Sequence, residues 1–210
     1  QETQPELSVS GQVSMRHLKL QANQNQSDLP LLKVGGVDLT IDTLKPLDGV
    51  LKLPQIRVTD VSWGSKEKPE ASWTELRLEQ LEVAVAKQWV RVGRVGLTGP
   101  QVNVTRDAQG RWMFEDWLSR APSMPSSGAA SHPWQLDMGP LQITEGVGSL
   151  DDQFVPGGAK LETRDFKASM GAWQLGAASP QMISVKVDFT VGAQTQRRSA
   201  GQFVFDGAVH

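Results

Sequence analysis

The chain has no cysteine and no tyrosine, and only three histidines in 210 residues. Without cysteine there can be no disulfide, no thiolate zinc site and no thiol nucleophile. His17 falls at a break in a strand pattern, His132 in a Pro/Ser-rich stretch and His210 at the last residue. That distribution gives no basis for a shared metal site or a catalytic triad. A Walker loop, a dinucleotide fingerprint, a nucleophile elbow and an HExxH run are all missing. No apolar run approaches the roughly 18 residues of a membrane-spanning helix, and the N-terminus lacks the basic-then-apolar plan of a signal peptide. There is no basic excess either: 21 Lys plus Arg stand against 23 Asp plus Glu, interspersed, for a net charge of -2. A nucleic-acid partner is therefore not expected. The expectation is a soluble chain that is not an enzyme, with no cofactor and no metal. It starts at Gln1 and ends in the strand-like run Phe203, Phe205, Val209, so both ends are expected to be cuts in a longer protein from which an anchor is missing.

What is present is a pattern. Apolar residues recur at i, i+2, i+5 and i+7 in six places: Val13, Met15, Leu18, Leu20; Leu51, Leu53, Ile56, Val58; Leu76, Leu78, Leu81, Val83; Val90, Val92, Val95, Leu97; Leu136, Met138, Leu141, Ile143; and Ala168, Met170, Trp173, Leu175. At about 100° per residue these positions scatter around a helix, and in a plain strand the odd central spacing sends the second pair to the opposite face. An extra residue in the strand, a β-bulge, returns all four to one side and bends the strand. The central positions include Pro54, Gly93, Gly139, Pro140 and Gly171, residue types that interrupt a ladder. Three copies end alike, at Val58-Thr59-Asp60, Leu97-Thr98-Gly99 and Ile143-Thr144-Glu145, a loose repeat of roughly 40 residues. Ladder breaks are expected near Arg16 and His17, Pro54 and Gln55, Gln80, Gly93 and Arg94, and Gly139 and Pro140.

Simple alternation at Val37, Leu39, Ile41, at Val102, Val104 and from Ile183 to Val191 adds ordinary half-buried strands. Residues 111–120 read differently: Met113, Phe114, Trp117 and Leu118 lie within one helical arc of about 140°, so a short helix is expected to dock them on the sheet as a cap. Residues 121–133 are rich in Pro, Ser, Gly and Ala, the composition of a flexible linker or loop. The chain thus divides into a first block of β repeats at 1–120, the linker at 121–133, and a second block at 134–210 that is expected to continue the same sheet. Asp151-Asp152 and Pro156-Gly157-Gly158 read as turn or strand-edge features rather than a calcium loop or phosphate cradle. Asn103-Val104-Thr105 matches a glycosylation acceptor but lies within an alternating strand. Five of the seven tryptophans, Trp63, Trp73, Trp89, Trp134 and Trp173, fall at strand ends or on apolar faces, suited to core packing, sugar stacking or lipid contact.

Two stretches carry a family resemblance. Residues 95–118, VGLTGPQVNVTRDAQGRWMFEDWL, and residues 141–166, LQITEGVGSLDDQFVPGGAKLETRDF, resemble the AsmA-like family, in the branch that carries a domain of unknown function sometimes linked to OmpA-type modules. Where that family usually has Asn shortly after the glycine, this chain has Met113. The resemblance implies an elongated, curved antiparallel sheet forming a U-shaped, apolar-lined groove. It also implies a periplasmic setting in a Gram-negative bacterium, an inner-membrane anchor in the full-length protein, and conduction of phospholipid toward the outer membrane without catalysis.

The repeats agree with it in one respect: bent strands with one apolar face must close, meet another sheet or bind something apolar. The fold class expected is mainly β with bulged strands and one short α-helix. Leu53, Ile56, Leu78, Leu81, Val92, Val95, Met138 and Leu141 are expected to line one continuous groove for phospholipid acyl chains. The rival expectation is an assembly module that pairs its open sheet edges with other envelope proteins.

Overall fold

The computed structural model describes residues 7–21, 31–64, 69–113, 115, 134–175, 181–192 and 198–209. Among these residues twelve strands run in chain order: β1 Val9–Gln21, β2 Leu31–Lys45, β3 Val50–Gly64, β4 Pro69–Ala84, β5 Trp89–Thr98, β6 Gln101–Arg106, β7 Gln135–Met138, β8 Leu141–Asp152, β9 Ala159–Met170, β10 Trp173–Leu175, β11 Gln181–Gly192 and β12 Arg198–Val209. All belong to one sheet, ordered β1-β2-β3-β4-β5-β8-β9-β11-β12, with β6, β7 and β10 attached beside that path. The protein is mainly β, and among the described residues the only helical features are a single 3-10 turn at Val85–Lys87 and Glu115.

The three attached strands are continuations of longer ones. β6 prolongs β5 past Gly99-Pro100, because Ser72 opposite Gln101 keeps the register of Glu75 opposite Thr98. β8 likewise prolongs β7 past Gly139-Pro140, and β10 prolongs β9 past Gly171-Ala172. Nine long strands result, all antiparallel except one contact: β5 and β6 run parallel to β7 and β8, with Val92 beside Met138, Val95 beside Leu141 and Gln101 beside Val147. This one parallel contact makes an otherwise antiparallel sheet a mixed one. Parallel neighbours need a connection of a dozen or more residues, and the 28-residue stretch from 107 to 134 supplies the length. The same offset of 46 residues separates the repeat copies that begin at Val90 and Leu136, so the parallel contact sets two copies side by side, level for level.

The expected ladder breaks are present, with one correction. His17, Pro54, Gln80 and Gly93 have no register partner, although the residues on both sides are paired. The register nevertheless does not shift there: Leu53 faces Leu81 and Gln55 faces Glu79, so Pro54 simply stands opposite Gln80. A bulge would place two residues against one. At these four positions the facing strands change course at the same level, so the residue counts match and the ladder loses a pair without slipping. Register shifts do occur beside the left-handed residues Glu145 and Asp165 (φ 54), within β8–β9 between Ile143 and Gly148 and within β9–β11 between Asp188 and Thr190, and near strand ends at Val9–Gly11 and Trp63–Gly64.

Two creases cross the sheet in this way. The first passes through Pro54, Gln80, Gly93 and Gly139. The second passes through His17, Gly35, Asp60, Thr74 and Gly99 to Glu145. Left-handed backbone marks both, at Gln80 (φ 55) in the first and at His17 (φ 56), Asp60 (φ 52), Gly99 (φ 62) and Glu145 (φ 58) in the second. A single left-handed residue in a strand turns two successive side chains to one face, which restores the alternation beyond it. In β3 the apolar positions therefore run Leu51, Leu53, Ile56, Val58, Val61, Trp63, and in β4 Ala71, Trp73, Leu76, Leu78, Leu81, Val83.

The expected helix at 111–120 does not begin at 111. Trp112 bridges to Arg106 as an extended residue, and Met113 donates its N–H to the carbonyl of Thr105. Asp107 is the cause: its Oδ1 accepts the N–H groups of Gln109 and Arg111, and Gly110 (φ 85) closes the turn, which folds the chain back as a hairpin. Met113 is half-buried against β6. Phe114, Trp117, Leu118 and the linker at 121–133 lie outside the described residues.

The creases make specific demands on glycine. A Cβ on Gly139 would lie 1.8 Å from the carbonyl oxygen of Gly93, whereas one on Gly171 would meet nothing within 4 Å. Gly139→Ala should therefore destabilise the protein by at least about 2 kcal/mol, while Gly171→Ala should stay within roughly 1 kcal/mol of wild type. Urea denaturation of both variants checks this, and equal stabilities would contradict matched creases.

Candidate functional site: one apolar face

Residues opposite one another in a sheet point to the same face, so the register lists which side chains form a surface. One apolar row runs Val13, Leu39, Ile56, Leu78, Val95, Leu141, Met170, Val185, Phe205 across the full width. Beside it runs Met15, Val37, Val58, Leu76, Leu97, Ile143, Ala168, Val187, Phe203. Beyond the first crease lies Leu53, Leu81, Val92, Met138, Trp173, and beyond the second Leu18, Val34, Val61, Trp73. The eight residues expected to line a groove fall into two of these rows, four in each, on either side of the first crease. At about 4.8 Å between strands, nine strands give a face about 40 Å wide.

Little protein covers this face. Strand-to-strand contact runs between sheet neighbours or their direct continuations, and among the described residues no second layer packs on the sheet. Among the described residues only Leu53, Val61, Val92 and Val95 are buried apolar side chains, and none is completely enclosed. All four flank a crease. Elsewhere the rows are half-buried, and at the two edges they are open: Val13 and Met15 are 41% and 40% exposed, Phe203 and Phe205 54% and 51%.

The opposite face is polar and held by ion pairs. Arg57 and Arg77 stand directly opposite each other, an arrangement that repels. Glu75 bridges them, hydrogen-bonded to Arg57 and 2.6 Å from Arg77. Burial raises the Glu75 carboxyl, but the hydrogen bonds from Arg57 and Arg77 outweigh it and hold the group below the usual range. Next along, the Ser14 hydroxyl and the Arg16 guanidinium both hydrogen-bond Asp38 and lower its carboxyl. Charges thus line one face and are excluded from the central rows of the other.

The tryptophans divide between the faces. Trp73 and Trp173 lie in the apolar rows with their indole N–H groups buried and without a partner among the described residues. Trp63 is half-buried in register with Leu32 and Ala71. Trp89 donates its indole N–H to Asp137 at 2.9 Å, and Trp134 is 47% exposed. Of the weaker motifs, Pro156-Gly157-Gly158 is a turn with Gly157 and Gly158 at φ 86 and 69. Asn103 uses its side chain on the Pro69 carbonyl and the Ser149 hydroxyl. Asp152 is buried and pairs with Arg106, a residue that sequence reasoning did not single out. The signal for it lies in the two stretches that carry the family resemblance, because β6 and β8 bring their Arg106 and Asp152 into register. Comparison with family models, with curated proteins and with solved structures finds no match to this chain.

The polar face yields a prediction with a defined sign. Glu75 has a folded pKa below its unfolded one, so the stability it contributes is complete above the unfolded pKa of 4.5 and is lost as pH falls through the lower folded value. Glu75→Gln should be less stable than wild type at about pH 7, and the gap should close as the pH is lowered to about 3. A gap that stays constant over that range, measured by thermal melting, would show that Glu75 does not act through its charge.

Proposed function

We propose that this chain binds phospholipid through its acyl chains, which lie along the apolar rows, and that it does so without catalysis. The observation that carries the reading is a continuous apolar face nine strands wide with no protein layer over it among the described residues. Exposed apolar patches of more than a few hundred Å² mark interaction surfaces. The distribution of burial supports a concave shape on that side. Side chains on the inside of a fold converge, and the four buried apolar residues sit beside the creases on the apolar face. On this reading the creases fold toward that face and make a trough, the groove implied by the AsmA-like resemblance. On this reading the chain is a periplasmic segment of an envelope protein anchored in the inner membrane, and it passes phospholipid between inner and outer membranes.

A second reading rests on the edges. β1 and β12 are 13 and 12 residues long and, among the described residues, each leaves one side of its ladder without a strand. Open edges of this length invite pairing with another chain, so an assembly module is the alternative.

The test uses Leu78→Asp. Leu78 is half-buried at the centre of a row, between Ile56 and Val95. A carboxylate there imposes a desolvation cost of several kcal/mol on an acyl chain passing over it. It costs the fold little, because water reaches a face that only lipid covers. The expected result is a normal circular dichroism spectrum, a melting temperature within a few degrees of wild type, and loss of most phospholipid recovered by extraction and mass spectrometry. An unfolded variant would mean that protein packs on the face, and undiminished lipid in a folded variant would end the lipid reading.

A further inference from the structure

The apolar face continues beyond the second crease on β6, β8 and β9, where Val104, Leu150 and Leu161 are register partners. Two residues further along, on the same face, the sequence places a charged pair: Arg106 in register with Asp152. The Arg106 guanidinium lies 4.3 Å from the centre of the Phe154 ring and 5.1 Å from that of Trp112. Its Nε donates to the carbonyl of Gly110 at 3.1 Å. Its Nη1 stands 3.6 Å from Asp152 Oδ2, an ion pair beyond hydrogen-bond reach, while Asp152 Oδ1 accepts the N–H of Phe154 at 3.0 Å. Both terminal nitrogens of Arg106 therefore make no hydrogen bond to a described residue, and 27% of the side chain remains exposed.

We propose that Arg106 receives the phosphate of an anionic lipid headgroup whose acyl chains enter the apolar rows past Val104 and Leu150. The inference rests on the lipid reading above and adds a headgroup subsite to it. A guanidinium is planar, and flanking rings fix its plane while its outer edge stays free, the geometry that suits two oxygens of a phosphate. Asp152 keeps the cation compensated when the site is empty. Phosphate competes with it for the same nitrogens.

The experiment compares phosphatidylglycerol with diacylglycerol, carrying the same fluorescent acyl chain, on the wild-type chain, Arg106→Gln and Asp152→Asn, with melting curves for each. The wild type should prefer phosphatidylglycerol. Arg106→Gln should lose about tenfold in affinity for it and keep its affinity for diacylglycerol, the scale of one charge-assisted contact. Asp152→Asn should bind phosphatidylglycerol more tightly, since its amide oxygen still accepts the Phe154 N–H while the competing charge is gone. This second variant decides the matter if Arg106→Gln fails to fold, and no gain from it overturns the proposal. Equal losses for both lipids in Arg106→Gln would make Arg106 structural. Equal wild-type affinity for both lipids would overturn the subsite and leave the groove intact, whereas binding of neither would remove both. Inorganic phosphate alone binding as tightly as phosphatidylglycerol would assign the site to free phosphate and overturn the lipid assignment.

Discussion

A β-strand returns its side chains to the same face every second residue, and a sharp change of direction threatens that alternation. The rest of this structure depends on how the threat is met. At each crease two consecutive residues turn to the polar face, such as Glu79 and Gln80 in β4 or Thr59 and Asp60 in β3, and the apolar sequence resumes at the next position. Because neighbouring strands do this at one level, the apolar rows stay in register across the sheet. Left-handed Gln80 projects over Gly93, where a Cβ would come within 2.8 Å of its own Cβ, so the device requires a residue without a side chain opposite.

This arrangement separates folding stability from a conventional core. A sandwich or an α/β fold obtains most of its burial from a second layer, and here the described residues supply none. Stability resides in long ladders, in cross-strand pairs along each row and in the ion pairs of the polar face. Each cross-strand pair contributes only about 0.2–1 kcal/mol, so the sum depends on many pairs acting together. Among the described residues nothing covers the apolar face. A lipid would add burial where the protein lacks it, and saturation would then stabilise the fold by mass action.

Much of the sheet is legible in the sequence because side-chain periodicity is a direct consequence of backbone geometry. The spacing of two, three and two residues at Leu76, Leu78, Leu81 and Val83 reports the first crease, and Pro54, Gly93 and Gly139 mark its level. The second crease is less legible. Asp60, Gly99 and Glu145 close three similar triplets, and although Gly and Asp reach left-handed backbone more readily than most residues, Glu gives no such signal. The matched register is not readable at all, since one strand cannot show whether its neighbours turn at the same level. Arg106 escapes for a related reason: its partners Asp152 and Phe154 are more than 40 residues away and meet it only through a parallel pairing that periodicity does not encode. The start of the expected helix fails locally, because the Asp107 side chain captures the N–H groups of Gln109 and Arg111 and bends the chain into a hairpin first.

The central claim is that one face of the sheet is apolar, continuous across the creases and open to lipid. The natural absence of cysteine allows it to be tested by placing single cysteines along β4 from Leu76 to Val83 and attaching a nitroxide to each. With phospholipid present, collision with dissolved oxygen should peak at positions 76, 78, 81 and 83, and collision with a water-soluble nickel chelate at 77, 79, 80 and 82, including the double step at 79 and 80. Labels at 76, 78, 81 and 83 that are shielded from both reagents would show a face packed against protein and would contradict the account.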